Sequence, residues 1–306
     1  MKISIIGAGM VGGAIANALV QRNLPITITL VDKERSIAEA QALDVNSASA
    51  ETPRVTAGEL EEVRDSEIII LAAGKRANSA IPDKQLLEMN SEMLETTLKH
   101  ALEFAPNAII INAIHPMDLM THHLVQLLGQ QNAARVLGTG TMLETNLLRQ
   151  TIGTHYAVHP ANVQGYVLGE QGSSALVAWS TVRVAGVSLA QFLEQRHTVL
   201  TQQEQAKITE KLQNAVKGAL GRKGTFLFGV GNSVARIVQN IIENRHEILT
   251  VSAWSTTQGA VLSMPRVIGS DGVVSTITPI LTPDEDAHLN VILGYFRATF
   301  ANQVNS

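Results

Sequence analysis

The stretch Gly7-Ala8-Gly9-Met10-Val11-Gly12 decides the fold of this chain. A short apolar run, Ile3-Ser4-Ile5-Ile6, precedes it, and a helical pattern over Met10–Arg22 follows. Glycine spacings of this kind arise by chance, but a G-x-G-x-x-G between a strand and a helix is a phosphate-binding turn. Gly7 permits the tight turn, Gly9 lets backbone approach a pyrophosphate, and Gly12 lets the helix sit close to the strand. The helix N-terminus, at Met10 and Val11, offers N–H groups and a partial positive charge to phosphates. A second strand, Ile26–Val31, ends in Asp32, twenty residues after Gly12. Asp32 can accept hydrogen bonds from both ribose hydroxyls, and its charge repels a 2′-phosphate, which favours NAD over NADP.

Outward from this turn, strands are expected at Lys2–Ile6, Glu67–Ala72, Ala108–Asn112 and Arg135–Leu137. Helices are expected between them, at Glu34–Ser47, Asp83–Phe104 and Pro116–Leu128. Near-continuous Ile/Leu/Val strands separated by helices predict an α/β fold with a doubly wound parallel (Rossmann) sheet. The second half reads differently. Asn162–Gly169 and Ser174–Val184 have strand character, Gln202–Leu220 and Gly231–Asn244 are amphipathic helices, and Ile248–Ala253, Ala260–Pro265 and Gly272–Pro279 are further strands. Pro283–Phe300 reads as a helix with Thr282 as N-cap and Glu285 as its capping-box partner. Gly138-Thr139-Gly140-Thr141 interrupts the pattern, so an NAD-binding domain is expected over 1–140 and an α+β substrate domain over 141–306.

With 306 residues, 45% of them hydrophobic, the chain can build a packed core. The net charge of −4 is spread out, with no dense Lys/Arg cluster to bind nucleic acid or an anionic membrane. No run of eighteen apolar residues is present, and the glycine turn arrives too early for a signal peptide. A cytoplasmic protein is the expectation. Without cysteine there are no thiolate metal sites, and His155 and His159 lack metal-ligand spacing, so no metal is expected. His122 and His123 are expected to face solvent or a second subunit, and His100, His197, His246 and His288 read as surface residues.

Further motifs carry a family resemblance along the whole chain. They include Ile70-Leu71-Ala72-Ala73-Gly74, Gly165-Tyr166-Val167-Leu168-Gly169-Glu170-Gln171-Gly172-Ser173, Val177-Ala178-Trp179-Ser180 and Leu262-Ser263-Met264-Pro265. Together they resemble the L-lactate/malate dehydrogenases, and Ala178–Val184 is similar to L-2-hydroxyisocaproate dehydrogenases within that family. The resemblance implies hydride transfer between NAD and a small 2-oxo or 2-hydroxy acid. It places Ala72, Ala73, Gly74 and Ile114 beside the cofactor. It also implies a homodimer or homotetramer, for which the helix carrying Ala38, Ala40, Ala42, Ala48 and Ala50 offers a small-residue face. Arg149 matches an arginine that binds an activating sugar bisphosphate in some relatives, but its histidine companion is Gln164, and no such activation is expected.

The family's catalytic set is largely replaced. The histidine of its G-E-H-G motif is Gln171, the partner aspartate is Glu144, and the carboxylate-binding arginine is Leu147. The polarising arginine of the loop after Gly74 falls on Asp83, and a small hydroxyl residue falls on Phe226. The asparagine of the family's N-P-[VM]-D is His115. Gln171 has no group that titrates near neutral pH. Leu147 leaves a substrate carboxylate unpaired, at a cost of several kcal/mol. His115, at the C-terminal end of a parallel strand, is the candidate replacement proton donor. Glu144 is expected to bond Gln171 through its carboxylate, and Lys75, Arg76 and Lys84 are possible loop cations. Leu147, Phe226 and Ala77 favour a bulky or apolar substrate.

Two functions follow from this reading. One is an NAD-dependent oxidoreductase of the L-2-hydroxy-acid type with an altered substrate. The other is a catalytically degenerate NAD-binding paralogue that serves as a sensor or partner subunit.

Overall fold

A computed structural model of the chain describes residues 1–48, 54–75, 81–172 and 174–300. Six strands form the parallel part of a sheet: β1 (Lys2–Ile6), β2 (Thr27–Val31), β3 (Val55–Gly58), β4 (Ile68–Leu71), β5 (Ile109–Asn112) and β6 (Val136–Gly138). Their spatial order is β3-β2-β1-β4-β5-β6, so the order reverses between β1 and β4. Ligands bind outside the carboxyl ends of strands at such a reversal. The crossovers run through α1 (Met10–Gln21), α2 (Arg35–Ser47), α3 (Asp83–Phe104) and α4 (Met117–Leu128). β4 and β5 are built almost wholly of Ile and Leu because helices cover both faces, and every one of their residues is buried. β3 escapes the sequence pattern. It is a four-residue edge strand, Val-Thr-Ala-Gly, with only its two end residues buried.

The second half opens with α5 (Met142–His155). Its buried stripe includes Glu144 and Thr145 beside Met142, Leu148 and Ile152, which breaks the apolar periodicity that would reveal a helix. β7 (Val163–Leu168), β8 (Leu176–Val184) and β9 (Val187–Ser188) form a separate antiparallel sheet. α6 (Leu189–Glu194), α7 (Gln202–Lys223) and α8 (Leu227–Glu243) follow. Then β10 (Glu247–Ser255), β11 (Ala260–Gly269) and β12 (Gly272–Thr276) extend the first sheet. β10 pairs antiparallel with β6 through Ser252–Gly138 and Ala253–Leu137, so one nine-stranded sheet draws on both halves of the chain.

α8 lies close along α1. A side chain at Gly231 would come within 2.7 Å of the Ala14 carbonyl oxygen. α9 (Pro283–Phe300) starts with the expected capping box. Glu285 N–H donates to Thr282 Oγ1 at 3.3 Å, and Thr282 N–H donates to Glu285 Oε2 at 2.9 Å.

One expectation changes. His122 is buried: its ring stacks on Phe300 with centroids 4.1 Å apart, and its Nδ1 accepts from Val261 N–H at 3.2 Å. It does so because α4 is covered on this side by β11 and α9 of its own chain. Its neighbour His123 pairs with Glu95 on α3 at 3.1 Å. On α2, Ala38 and Ala42 pack into the chain's own core, while Ala40 and Ala48 are exposed. The large exposed apolar residues of that helix are Ile37 and Leu43, and Ala50 lies outside the described residues.

Candidate functional site

The glycine turn leaves the C-terminal end of β1 at the strand-order reversal. Gly7 has φ +104°, and a Cβ there would overlap the Ala73 backbone nitrogen. The loop after β4 therefore presses directly against the turn. At Gly12 a Cβ would overlap the Gly7 carbonyl oxygen, which is the close helix–strand approach anticipated. Nothing lies within 4 Å of the Cβ position of Gly9. α1 begins at Met10 with no side-chain hydrogen bond from its N-cap and no acidic residue in its first turn. Asp32 braces the turn: its Oδ2 accepts from Ala8 N–H at 2.8 Å and its Oδ1 from Glu34 N–H at 3.2 Å. Each carboxylate oxygen keeps a second lone pair for a ribose hydroxyl. A helix start with open space at Gly9 and an acidic residue beside it fits a pyrophosphate carrying a ribose diol.

Two loops form the far side of this crevice. Asn112 ends β5 fully buried and holds the following turn. Its Oδ1 accepts from Ile114 N–H at 2.9 Å, and its Nδ2 donates to Met117 O at 3.0 Å. Asn90 on α3 ties the two loops together. It accepts from Lys75 N–H at 2.7 Å and donates to the His115 carbonyl at 2.8 Å. Ile114 points inward, and its Cγ2 would lie 2.7 Å from a Cβ at Gly74, so its side chain serves the core. His115 is turned the other way and is 37% exposed. Its Nε2 lies 3.1 Å from Oδ1 of Asp83, the first residue of α3. The His115 partnership holds the Asp83 carboxyl below the usual carboxylate range, against a smaller opposing effect of burial.

The loop between β7 and β8 carries Glu170 and Gln171. Asp118 on α4, 1% exposed, anchors it: Oδ2 accepts from Gln171 N–H and Oδ1 from Ser263 Oγ, both at 2.7 Å. The Gln171 side-chain amide donates to Gly140 O at 3.1 Å. The expected Glu144–Gln171 bond is not formed. Glu144 is 1% exposed, and its Oε2 has no hydrogen-bond partner among the described residues. Burial pushes its carboxyl up to about 8, and the nearby Asp118 charge adds to this. Folding therefore favours the protonated form of Glu144. Glu170 is pushed up to about 7, first by burial and then by Asp118 and Asp83, while its bond with Ser174 works the other way.

Leu147, on α5, is half-buried against the core of the small sheet. Phe226 caps the start of α8, where Leu143 of α5 fills the space beside Gly229. Arg149 reaches Gly165 O at 3.3 Å and lies over the Tyr166 ring. Ala77 and Arg76 lie outside the described residues. Lys75 and Lys84 are exposed. The sequence reading missed Asn90, Asn112 and Glu170 as parts of the site. Only Asn112 left a local signal, a polar residue closing an all-isoleucine strand.

The strand order, the glycine turn and the acid at the end of β2 define a dinucleotide-binding α/β protein with a second, mixed half. Residues 1–138 match the lactate/malate dehydrogenase NAD-binding domain, and residues 141–302 match the lactate/malate dehydrogenase alpha/beta C-terminal domain. The chain belongs to the lactate/malate dehydrogenase family, and its cofactor is NAD. It is 35% identical over 299 residues to an L-lactate dehydrogenase of Deinococcus radiodurans, covering 97% of both chains. It is 33% identical to an L-lactate dehydrogenase of Thermus aquaticus, over 93% of this chain and 94% of that one. The crystal structure of the minor L-lactate dehydrogenase from Enterococcus mundtii in its ligands-bound form superposes with a TM-score of 0.90. That pair shares 30% identity over 98% of each chain. Among the described residues, no helix is long and apolar enough to cross a membrane, and no cluster of metal-ligating side chains occurs.

Proposed function

We propose that the chain is an NAD-dependent oxidoreductase of the L-2-hydroxy-acid (lactate) dehydrogenase type whose substrate is bulkier and more apolar than lactate. Residues 1–140 serve the cofactor and 141–306 the substrate. Gly7, Gly9, Met10, Val11 and Gly12 hold the pyrophosphate and Asp32 the ribose, while Ala72, Ala73, Gly74 and the backbone of Ile114 line the nicotinamide side. When bound, NAD supplies or takes up the hydride. Leu147, Phe226 and Ala77 shape the substrate end, and a homodimer or homotetramer is the expected assembly.

The observation that carries this reading is the open space at Gly9, at the start of α1, together with Leu147 in place of the family's carboxylate-binding arginine. A second reading, a degenerate NAD-binding sensor or partner subunit, draws on Gln171, whose amide is engaged with the Gly140 carbonyl instead of donating a proton.

Fluorescence titration with NADH, followed by turnover of 2-oxo acids from pyruvate to branched and aromatic ones, separates the two. NADH binding with the highest kcat/KM on a branched or aromatic acid is the expected result. Binding without turnover of any member, with activity restored by Gln171→His plus Leu147→Arg, supports the sensor reading instead.

A further inference from the structure

Asp83 and His115 are thirty-two residues apart in sequence, yet their side chains meet at the mouth of the candidate site. Two backbone anchors hold them there. Asn90, fully buried, grips the His115 carbonyl from α3, and Asn112, fully buried, shapes the turn from below. Asp83 is the first residue of that same α3, so one helix fixes both the His115 backbone and its side-chain partner. The His115 ring is partly exposed at the carboxyl end of β5, the same sheet edge that bears the glycine turn. Its Nε2 faces the Asp83 carboxylate, so Nδ1 is the ring nitrogen on the opposite side from that partner.

We propose that His115 and Asp83 form the proton-transferring pair of this site, with His115 as the catalytic acid and Asp83 as its positioning residue. The pair does the work that Gln171 and Glu144 cannot do at the family's usual positions, and it rests on the oxidoreductase reading above. A carboxylate bonded to one ring N–H sets the tautomer and stabilises the imidazolium form. Asp83 accepts from Nε2–H and leaves Nδ1 to face the substrate oxygen. In the reducing direction, one hydride adds to the carbonyl carbon, and the C=O π pair becomes a lone pair on oxygen. That oxygen takes the proton from Nδ1–H, forming the O–H bond of the hydroxy acid. The N–H electron pair stays on the ring, which becomes neutral imidazole, and water reprotonates it. Asp83 remains ionised throughout. Oxidation runs the same steps backwards, with neutral Nδ1 as the base.

The test uses the full chain with NADH and the best 2-oxo acid of the panel. His115→Gln is expected to lower kcat roughly 10²–10⁴-fold, the usual worth of general acid catalysis, with NADH affinity and KM kept. Asp83→Asn is expected to lower kcat by a smaller factor, and Asp83→Glu to restore most of it. Ring-nitrogen NMR of the free protein reads the pairing without turnover: the His115 resonances, assigned by their loss in His115→Gln, must shift in Asp83→Asn. Unchanged kcat in His115→Gln, or His115 resonances indifferent to Asp83→Asn, overturns the pair. Wild-type inactivity on every acid despite bound NADH overturns the oxidoreductase reading itself, and the pair loses its task with it.

Discussion

Glu144 occupies a position where a neighbouring acid normally carries charge, yet its surroundings cannot support one. It is enclosed on α5, close to the Asp118 carboxylate, with one oxygen unpartnered. Its folded-state affinity for a proton is raised from 4.5 to about 8. The sign follows from linkage. Below 4.5 the acid is protonated in both folded and unfolded chains. Between 4.5 and 8 only the folded chain keeps the proton, so stability falls as pH rises through that window. The limiting slope is roughly 1.4 kcal/mol per pH unit for one such group. Glu144→Gln, a neutral near-isostere, is expected to flatten this slope. Urea unfolding at pH 5 and pH 8 checks it: the variant gains stability over wild type at pH 8 but not at pH 5.

At the level of elements, α9 shows how a local signature acquires a tertiary role. Thr282 and Glu285 satisfy each other's backbone N–H groups, as a capping box does. Glu285 goes further: its Oε1 accepts from Ser180 N–H of β8 at 3.0 Å, tying the helix start to the small sheet. Thr282→Ala is expected to cost about 1 kcal/mol, the ordinary loss of an N-cap. Glu285→Ala is expected to cost more, because two N–H groups lose a charged acceptor and each such bond is worth about 1.5–3 kcal/mol. Chemical denaturation of the two variants measures the difference, and equal losses would refute the inter-element role.

Across the whole molecule, the far end of α9 closes over the sheet through His122. The ring stacks on Phe300, faces Phe296 and Trp254, and accepts a hydrogen bond from Val261. Burial lowers its pKa from 6.5 to about 4, with a smaller effect of His123. Here the neutral form is favoured on folding. The contribution is complete above 6.5, and it is lost as pH falls from 6.5 through about 4, where the folded chain must also accept the proton. The full loss is about 3 kcal/mol. His122→Phe keeps the stacking but cannot be protonated. It is expected to unfold at a lower pH midpoint than wild type, even though leaving Val261 N–H without an acceptor costs about 1–3 kcal/mol at neutral pH. An acid titration followed by near-ultraviolet circular dichroism gives the midpoints.

The sequence alone determined what depends on neighbours along the chain. The β1–turn–α1 unit was legible because glycine spacing, strand and helix lie within about twenty residues, and Asp32 follows at the end of the next strand. The α9 capping box was legible for the same reason: its partners are three residues apart. Periodicity also marked the buried strands, but it could not reveal α5, whose buried stripe contains Glu144 and Thr145, or the marginal edge strand β3. Motif register identified Gln171, Leu147 and His115 as replacements, yet it could not state their partners. Only the tertiary structure decided that β10–β12 join the first half's sheet, that His122 lies inside, and that Glu144 is left without Gln171. It alone brought Asp83 to His115. Burial and long-range pairing depend on which surfaces meet after the chain has folded back on itself, and local patterns do not encode those meetings.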